Sequence, residues 1–465
     1  MIDKKPSQKS YNVQKAPNDA RKTAIQTLFS IAEDNAWSDG ALNRFLSASH
    51  LSARDAAFTT RLVYGTLQNT LLCDWYLRQF SNLRLKKIQP RILICLRMAL
   101  YELLLMDGVP SRATVYETVS LIRSYCHANE RAISFANAVL RRAAQAVESN
   151  TLPRLNCPDK ESYYSLRYSH PEWLVRRLSS QYGQKLTERI LQSNNCIAPT
   201  SVRVNLLRAA PAQIINELTA SGVSVRQNEK LPTILECVGG NIAALPAFQD
   251  GKITIQDAAG AVVAAAAKPA PGMFVLDCCA APGGKSFAIA EQIRPAGRVV
   301  ACDIYPHKIQ RIQEGATRLG LSSCVTAVIA NATEFHQEWE ERADIVLCDV
   351  PCSGMGVIRK KPEIRYRKQE DIESLPALQI KILENCARYV RPGGALLYST
   401  CTIFKEENAD IIHAFLSTRP DFIPEPWEHP ICGKQENGMV TLLPPLHQTD
   451  GFFIAKLRKQ GTVKI

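Results

Sequence analysis

A chain of 465 residues, 46% hydrophobic and 22% charged, is too long for one ordinary domain; at about 150 residues per domain it suggests roughly three soluble globular units. The net charge of +12 favours an anionic partner, nucleic acid ahead of membrane, because no basic amphipathic anchor stands out. The opening Met1-Ile2-Asp3-Lys4-Lys5 carries no leader signal, and the most apolar runs, Ala258 to Ala267 and Arg91 to Met106, are too short or interrupted by Arg97 and Glu102, so no membrane span is expected.

After a polar tail to about Pro17, apolar residues recur every three or four positions over Ala20–Ala32, Asp55–Gln68, Pro90–Met106, Ser111–His127 and Ala132–Val147. This predicts a helical bundle over residues 1–150. Twenty Lys and Arg stand there against twelve Asp and Glu, so eight of the twelve net positive charges fall in the first third. The bundle therefore has a basic bias suited to RNA, although any single charge reads equally well as a solvated helix face.

Ser149 to Lys160, with Pro153 and Pro158, reads as a linker. Beyond it Ser169-His170-Pro171-Glu172-Trp173 leads into a helix, Thr200 to Asn205 alternates like a strand, and Ile214 to Ser221 reads as helix. Short strands follow around Thr233–Val238 and Lys252–Gln256. A small α+β module over 160–250 is expected, with RNA binding as its role. From 251 to 465 short apolar runs alternate with helix-length segments: Met273–Cys278, Arg298–Asp303, Val325–Ala330, Asp344–Asp349 and Ala395–Ser399. That pattern predicts a doubly wound, Rossmann-like α/β sheet, with a final strand, Phe452–Leu457, joining the sheet edge antiparallel.

The turn Cys278-Cys279-Ala280-Ala281-Pro282-Gly283-Gly284-Lys285-Ser286 follows the first of these strands. Gly283 and Gly284 let backbone N–H groups approach a ligand at a helix N-terminus. A Walker A loop needs glycine where Cys279 stands, and no Gly-x-Gly-x-x-Gly is present, so ATP and dinucleotides fit poorly. Asp303, ending the next strand, is placed to accept ribose hydroxyls. A small adenosyl ligand, S-adenosylmethionine, fits best; a plain tight turn with a capping Asp is the bland alternative.

Fifteen cysteines, an odd number without Cys-x-x-Cys pairs, argue for a reducing cytoplasm and against a zinc site. Most, such as Cys73, Cys95 and Cys302, read as small buried apolar residues. Cys352, in Asp349-Val-Pro-Cys352-Ser-Gly354, and Cys401, in Tyr398-Ser-Thr-Cys401-Thr402, differ: each closes a strand-like run, and the two should meet at one cleft. Carbon 5 of cytosine is a poor nucleophile until a thiolate adds to carbon 6. An acid must also engage ring nitrogen 3, for which Asp349 is suited, and a base must later remove the carbon-5 proton. Lys285 and a helix N-terminus supply the positive field that a thiolate needs. Which cysteine attacks is left open by spacing alone.

These motifs carry a resemblance. Asp277 to Ser286, Asp349 to Gly354, Gly356-Val-Ile-Arg359-Lys-Lys-Pro362-Glu363-Ile, Ser399-Thr-Cys401, Glu407-Asn408, Gln256-Asp257 and Asp450-Gly-Phe-Phe453 closely resemble the RNA cytosine-5 methyltransferases. Arg61-Leu-Val-Tyr64-Gly65, Leu96 to Glu102 and Phe135 to Arg142 are similar to the NusB-like RNA-binding bundle. Together they resemble the Sun/RsmB branch, which implies methylation of a cytosine, position 967, of small-subunit ribosomal RNA. The resemblance further implies Cys401 as nucleophile, Cys352 as the thiol assisting release, and donor contacts from Cys279, Ala280, Ala281, Pro282, Gly283, Gly284, Lys285, Asp303, Asn331 and Asp349. Where the family has Gly-Asp-Gly after the third strand, this chain has Ala330-Asn331-Ala332; Asn331 can bond an adenine edge but carries no charge.

A cytoplasmic monomer, without membrane partner or metal, is expected. Transfer RNA as substrate and a non-catalytic antitermination-type RNA-binding factor are the alternatives. DNA is disfavoured, since DNA enzymes attack with the Pro-Cys cysteine and lack a Thr-Cys motif like Thr400-Cys401. Arg359, Lys360, Lys361 and Arg365, beside the catalytic loop, are candidate phosphate contacts, with a solvated charge run as the bland alternative.

Overall fold

The computed structural model describes residues 19–34 and 36–461. The polar tail to Pro17 lies outside them. The chain forms two compact units, Met1–Cys157 and Pro158–Ile465.

The first unit is all helical: Asp19–Glu33, Ser38–Ser47, Ala53–Gln68, Thr70–Phe80, Pro90–Leu105, Ser111–Tyr125 and Glu130–Glu148. Leu62, Leu77, Leu96, Leu100, Leu121 and Leu140 lose all contact with water at its centre. The two charges that interrupt Arg91 to Met106 are both paired. Arg97 forks onto Asp74 at 2.7 and 2.8 Å, and the buried Glu102 takes Arg21 and, at 2.7 Å, the hydroxyl of Thr114. Gly65 has a packing reason to be glycine: a Cβ there would fall 1.9 Å from the Tyr101 ring. Two of the phrases that resemble the NusB bundle therefore meet in space.

The second unit begins with helices Lys160–Arg167 and Glu172–Asn194, the latter broken at Gly183, where φ is 73°. A small antiparallel sheet follows, with strands β1 (Thr200–Val204), β2 (Ser224–Gln227), β3 (Ile234–Val238) and β4 (Ile253–Ile255) in the order β2-β3-β1-β4, together with helix Pro211–Ala220. β4 carries this sheet past the boundary expected at residue 250.

The large sheet contains β5 (Phe274–Asp277), β6 (Arg298–Asp303), β7 (Val325–Ile329), β8 (Ala343–Asp349) and β9 (Val390–Thr400), then β10 (Phe422–Pro424). After a small ribbon of β11 (Trp427–His429) and β12 (Gly433–Gln435) come β13 (Met439–Leu442) and β14 (Phe452–Lys459). The order is β10-β14-β9-β8-β5-β6-β7, parallel from β9 to β7, and apolar layers cover both faces. β14 runs antiparallel beside β9, as expected, but it is not the edge: β10 and β13 pair with its far side. Strand order reverses between β5 and β8. In open α/β sheets ligands bind beyond the C-terminal strand ends at such a switch point. Among the described residues no helix is long and apolar enough to cross a membrane.

Candidate active site

β5 delivers Asp277 to the switch point. The carboxylate is buried; one oxygen accepts a 2.6 Å bond from the Ser286 hydroxyl, while Oδ1 has no partner. Burial pushes its carboxyl up to about 6, from 3.8 for the free group. A folded-state value above the unfolded one contributes stability in full below about pH 4, and that contribution is lost as pH rises through 6. Asp277→Asn is accordingly expected to melt at a higher temperature than the unchanged protein at pH 8 and alongside it near pH 4. An equal offset at both pH values in a scanning calorimeter would contradict burial of the charge as the cause.

The turn behind Asp277 is built differently from the expectation. Gly283, at φ 104°, spends its own N–H on the Ala280 carbonyl at 2.7 Å, and its missing Cβ makes room for the Phe287 ring, 2.4 Å from where that atom would stand. The N–H groups without an intrahelical acceptor belong instead to the next residues. Gly284, Lys285 and Ser286 open helix Gly284–Ile293, and N–H groups of a first turn have no intrahelical partner. Cys279 lines the same loop, and burial raises its thiol well above the usual range. Gln256 ties the loop to the small sheet: its amide donates to the Gly284 carbonyl at 3.1 Å while its oxygen accepts from Arg203 at 2.6 Å.

Asp303 closes β6, with its carboxylate accepting from the Tyr305 N–H at 3.1 Å and lying 3.4 Å from Lys308 Nζ. Ile304 and Tyr305, each about half exposed, offer an apolar surface directly after it. The sequence signal for that surface was the apolar pair after the carboxylate, which passed unused. Asn331 follows β7, and its amide is already engaged: Oδ1 accepts from the Thr333 N–H and hydroxyl, and Nδ2 donates to Glu334 at 2.9 Å. Glu334 takes one of the two N–H donors of Nδ2.

The register of β8 against β9 sets Asp349 beside Ser399, and the chains leaving these strand ends bring Cys352 and Cys401 together. Their sulfurs lie 3.3 Å apart, both residues half-buried. Asp349 accepts from the Ser399 hydroxyl at 2.7 Å and from Lys285 Nζ at 2.7 Å. Lys285 also faces the Phe452 ring at 5.0 Å; burial opposes its charge, but Asp349 outweighs this and raises its ammonium above the usual value. The thiol pair is electrically asymmetric. A hydrogen bond from Cys352 lowers Cys401, against burial and with help from Lys285, whereas the same bond, burial and the nearby Glu407 raise Cys352 well above the ordinary thiol range. A negative charge is therefore less disfavoured on Cys401 than on Cys352.

Three of the four cations read as phosphate contacts beside this loop, Arg359, Lys360 and Arg365, are engaged by partners within the protein. Lys360 Nζ sits 2.7 Å from both Asp257 and Asp450, and Arg359 bonds Asp450 at 2.6 Å. Although burial opposes it, Lys360 holds the Asp257 carboxyl down to about 2. Arg365 is fully buried, donating to the Ser169 carbonyl and to Asn195.

Residues 264–458 match the family described as 16S rRNA methyltransferase RsmB/F, residues 18–145 the NusB family, and residues 170–238 a ferredoxin-like domain of RsmF/B-like methyltransferases. The chain is 35% identical over 449 residues to a probable ribosomal RNA small subunit methyltransferase B of Bacillus subtilis (strain 168), covering 95% of this chain and 99% of that one. It is 30% identical to the ribosomal RNA small subunit methyltransferase B of Shewanella oneidensis, over 94% and 99% of the two chains. The crystal structure of PH0851 superposes with a TM-score of 0.80 at 29% identity, covering 96% of this chain and 99% of that one. A methyltransferase homolog from Pyrococcus horikoshii gives 0.56 at 27% identity, over 65% of this chain and all of the other.

Proposed function

The chain belongs to the RsmB/F family of 16S rRNA methyltransferases, and from that premise we propose that it methylates carbon 5 of a cytosine, position 967, in small-subunit rRNA. The observation that carries this reading is the thiol pair at 3.3 Å beside the Lys285–Asp349 ion pair, at the switch point of the sheet.

The family's methyl donor is S-adenosylmethionine, and the residues present fit it. The unpartnered Asp277 Oδ1 suits an ammonium, the N–H groups of 284–286 a carboxylate, and Asp303 the ribose hydroxyls. When bound, the donor supplies an electrophilic methyl group. Every other task falls to side chains.

Cys401 Sγ forms a bond to ring carbon 6, and the displaced electron pair makes carbon 5 nucleophilic. The Lys285–Asp349 pair holds or delivers a proton at ring nitrogen 3 while that charge develops. Once carbon 5 carries the methyl group, a base in the cleft or water takes its proton, those electrons restore the ring double bond, and the carbon 6–sulfur bond breaks with its pair on sulfur, freeing Cys401 as thiolate while nitrogen 3 returns its proton to the Lys285–Asp349 pair. Cys352, in contact with Cys401, assists this release. In this role the protein works in the cytoplasm as a monomer on RNA presented through cationic surfaces, with the target base splayed into the cleft.

Purified protein, isotopically labelled donor and small-subunit rRNA test the reading, with bisulfite mapping of the modified base. Label at carbon 5 of one small-subunit cytosine is expected. Label confined to transfer RNA would move the substrate assignment, and absence of donor binding by calorimetry would leave an RNA-binding factor without catalysis.

A further inference from the structure

Glu407 and Asn408 follow the Cys401 strand, and each brackets one of the two thiols. Glu407 is fully buried. Its Oε2 accepts from the Ser353 N–H at 2.8 Å and from Gln379 Nε2 at 2.9 Å, and its Oε1 accepts from the Ser353 hydroxyl at 2.5 Å. Gln379 Nε2 also donates to the Pro351 carbonyl at 3.0 Å. The residues on either side of Cys352 are thus held by one carboxylate and its amide partner. Asn408, also buried, does the same for Cys401: Oδ1 accepts from the Thr400 hydroxyl at 2.6 Å and Nδ2 donates to the Thr402 carbonyl at 3.0 Å. The two brackets are tied where the Ser353 and Thr402 hydroxyls stand 2.8 Å apart.

We propose that Glu407 and Asn408 are a pair of positioning residues with divided tasks, Glu407 fixing the release thiol through Ser353 and Gln379, and Asn408 fixing the attacking thiol through Thr400 and Thr402. This rests on the assignment of Cys401 to attack and Cys352 to release. Three donors converge on Glu407; an amide in its place keeps the two N–H bonds at Oε2 but removes the charge and turns an N–H toward the Ser353 hydroxyl, which must then accept it and turn its own proton to Thr402. Asn408 must donate and accept at once, which a carboxylate does not do. The chemistry of each side chain therefore matches its own bracket and not the other. The contact with Cys401 and burial raise the Cys352 thiol, and Glu407 adds to this in the same direction.

The test follows single-turnover kinetics with labelled donor and small-subunit rRNA, resolving the RNA adduct on denaturing gels. Cys401→Ala and Cys352→Ala serve as benchmarks, the first forming no adduct and the second trapping one. Against them, Glu407→Gln is expected to slow release tenfold or more and to accumulate adduct, while Asn408→Ala slows adduct formation tenfold or more without accumulation. Ser353→Ala, which removes a single hydroxyl from the Glu407 bracket, should show a smaller release defect and reads that arm if Glu407→Gln fails to fold. A merely structural role lowers both steps alike, and that result, or no change in either, overturns the proposal. Reversed benchmarks would instead overturn the assignment of the thiols on which it rests.

Discussion

Cys401→Ala is expected to lose methyl transfer by on the order of 10⁴-fold or more, the scale on which removal of a covalent nucleophile acts, and to form no RNA adduct. Cys352→Ala should instead stall with RNA bound covalently through Cys401. The asymmetry rests on what surrounds each sulfur. The contact across 3.3 Å is the largest influence on both, lowering Cys401 and raising Cys352; burial raises both, Asp349 raises Cys401 while Lys285 lowers it, and Glu407 raises Cys352 further. Only the thiolate attacks. Removing Cys352 leaves Cys401 and Lys285 in place, so attack is slowed by loss of the contact that lowers Cys401 but still occurs, while the group touching the sulfur that must depart is gone. A denaturing gel with labelled RNA separates the two outcomes, and an adduct in Cys401→Ala but not in Cys352→Ala would exchange the roles.

The parallel strands were legible because each is a short apolar run ending in a polar residue, and the two cysteines were legible as a pair because both follow such runs. The register that puts Asp349 beside Ser399 then makes them meet. β9 begins at Val390, earlier than its apolar run, since a register irregularity between Ala343 and Ile345 lets Val390 pair with Ala343. In the sequence a helix ends at Gln68 and none is assigned to Thr70–Phe80, whose start is separated from its predecessor only by Asn69, at φ −119° and ψ 19°, with no proline or glycine to mark it. β14 read as an edge because its outer partners, β10 and β13, are three and four residues long and fall within loops. Glu407 and Asn408 were visible as a motif but not as brackets, since their contacts are set by the packing of two loops.

The charge run at 359–365 shows the same limit from the other side, and it leads to the second large expected effect. A cation in sequence reads as facing water or phosphate unless its partners are near in the chain, and those of Lys360 lie 103 and 90 residues away. Lys360→Met removes the ammonium that both Asp257 and Asp450 share at 2.7 Å and leaves the two carboxylates, Asp450 buried and Asp257 half-buried, with Arg359 as their remaining cation. Breaking a fully buried ion pair from one side costs about 3–5 kcal/mol, and with Arg359 and the Ala259 and Asp450 N–H groups still on these carboxylates a part of that loss is expected. The loss reaches the active site along the backbone: Gly451, next to Asp450, bonds the Gly356 carbonyl at 2.8 Å, and the Gly356 N–H bonds the Cys401 carbonyl at 2.9 Å. A Cβ at Gly356 would stand 2.0 Å from the Gly451 oxygen, so these two loops fit closely and move together. Lower stability in urea and slower turnover are both expected. The pH dependence has a definite sign. With Lys360 present, Asp257 is held down to about 2 and its ionised form stabilises the fold above the usual carboxylate range. Without it the stranded carboxylates are raised, so the deficit against the unchanged protein is greatest at neutral pH and narrows as acid neutralises them. A phosphate-contacting lysine behaves in the opposite way: Lys360→Met would then leave the urea midpoint unchanged and reduce the salt dependence of RNA affinity by about one unit of slope. Urea titrations at two pH values and a salt series of RNA binding decide between the internal and the RNA-facing lysine.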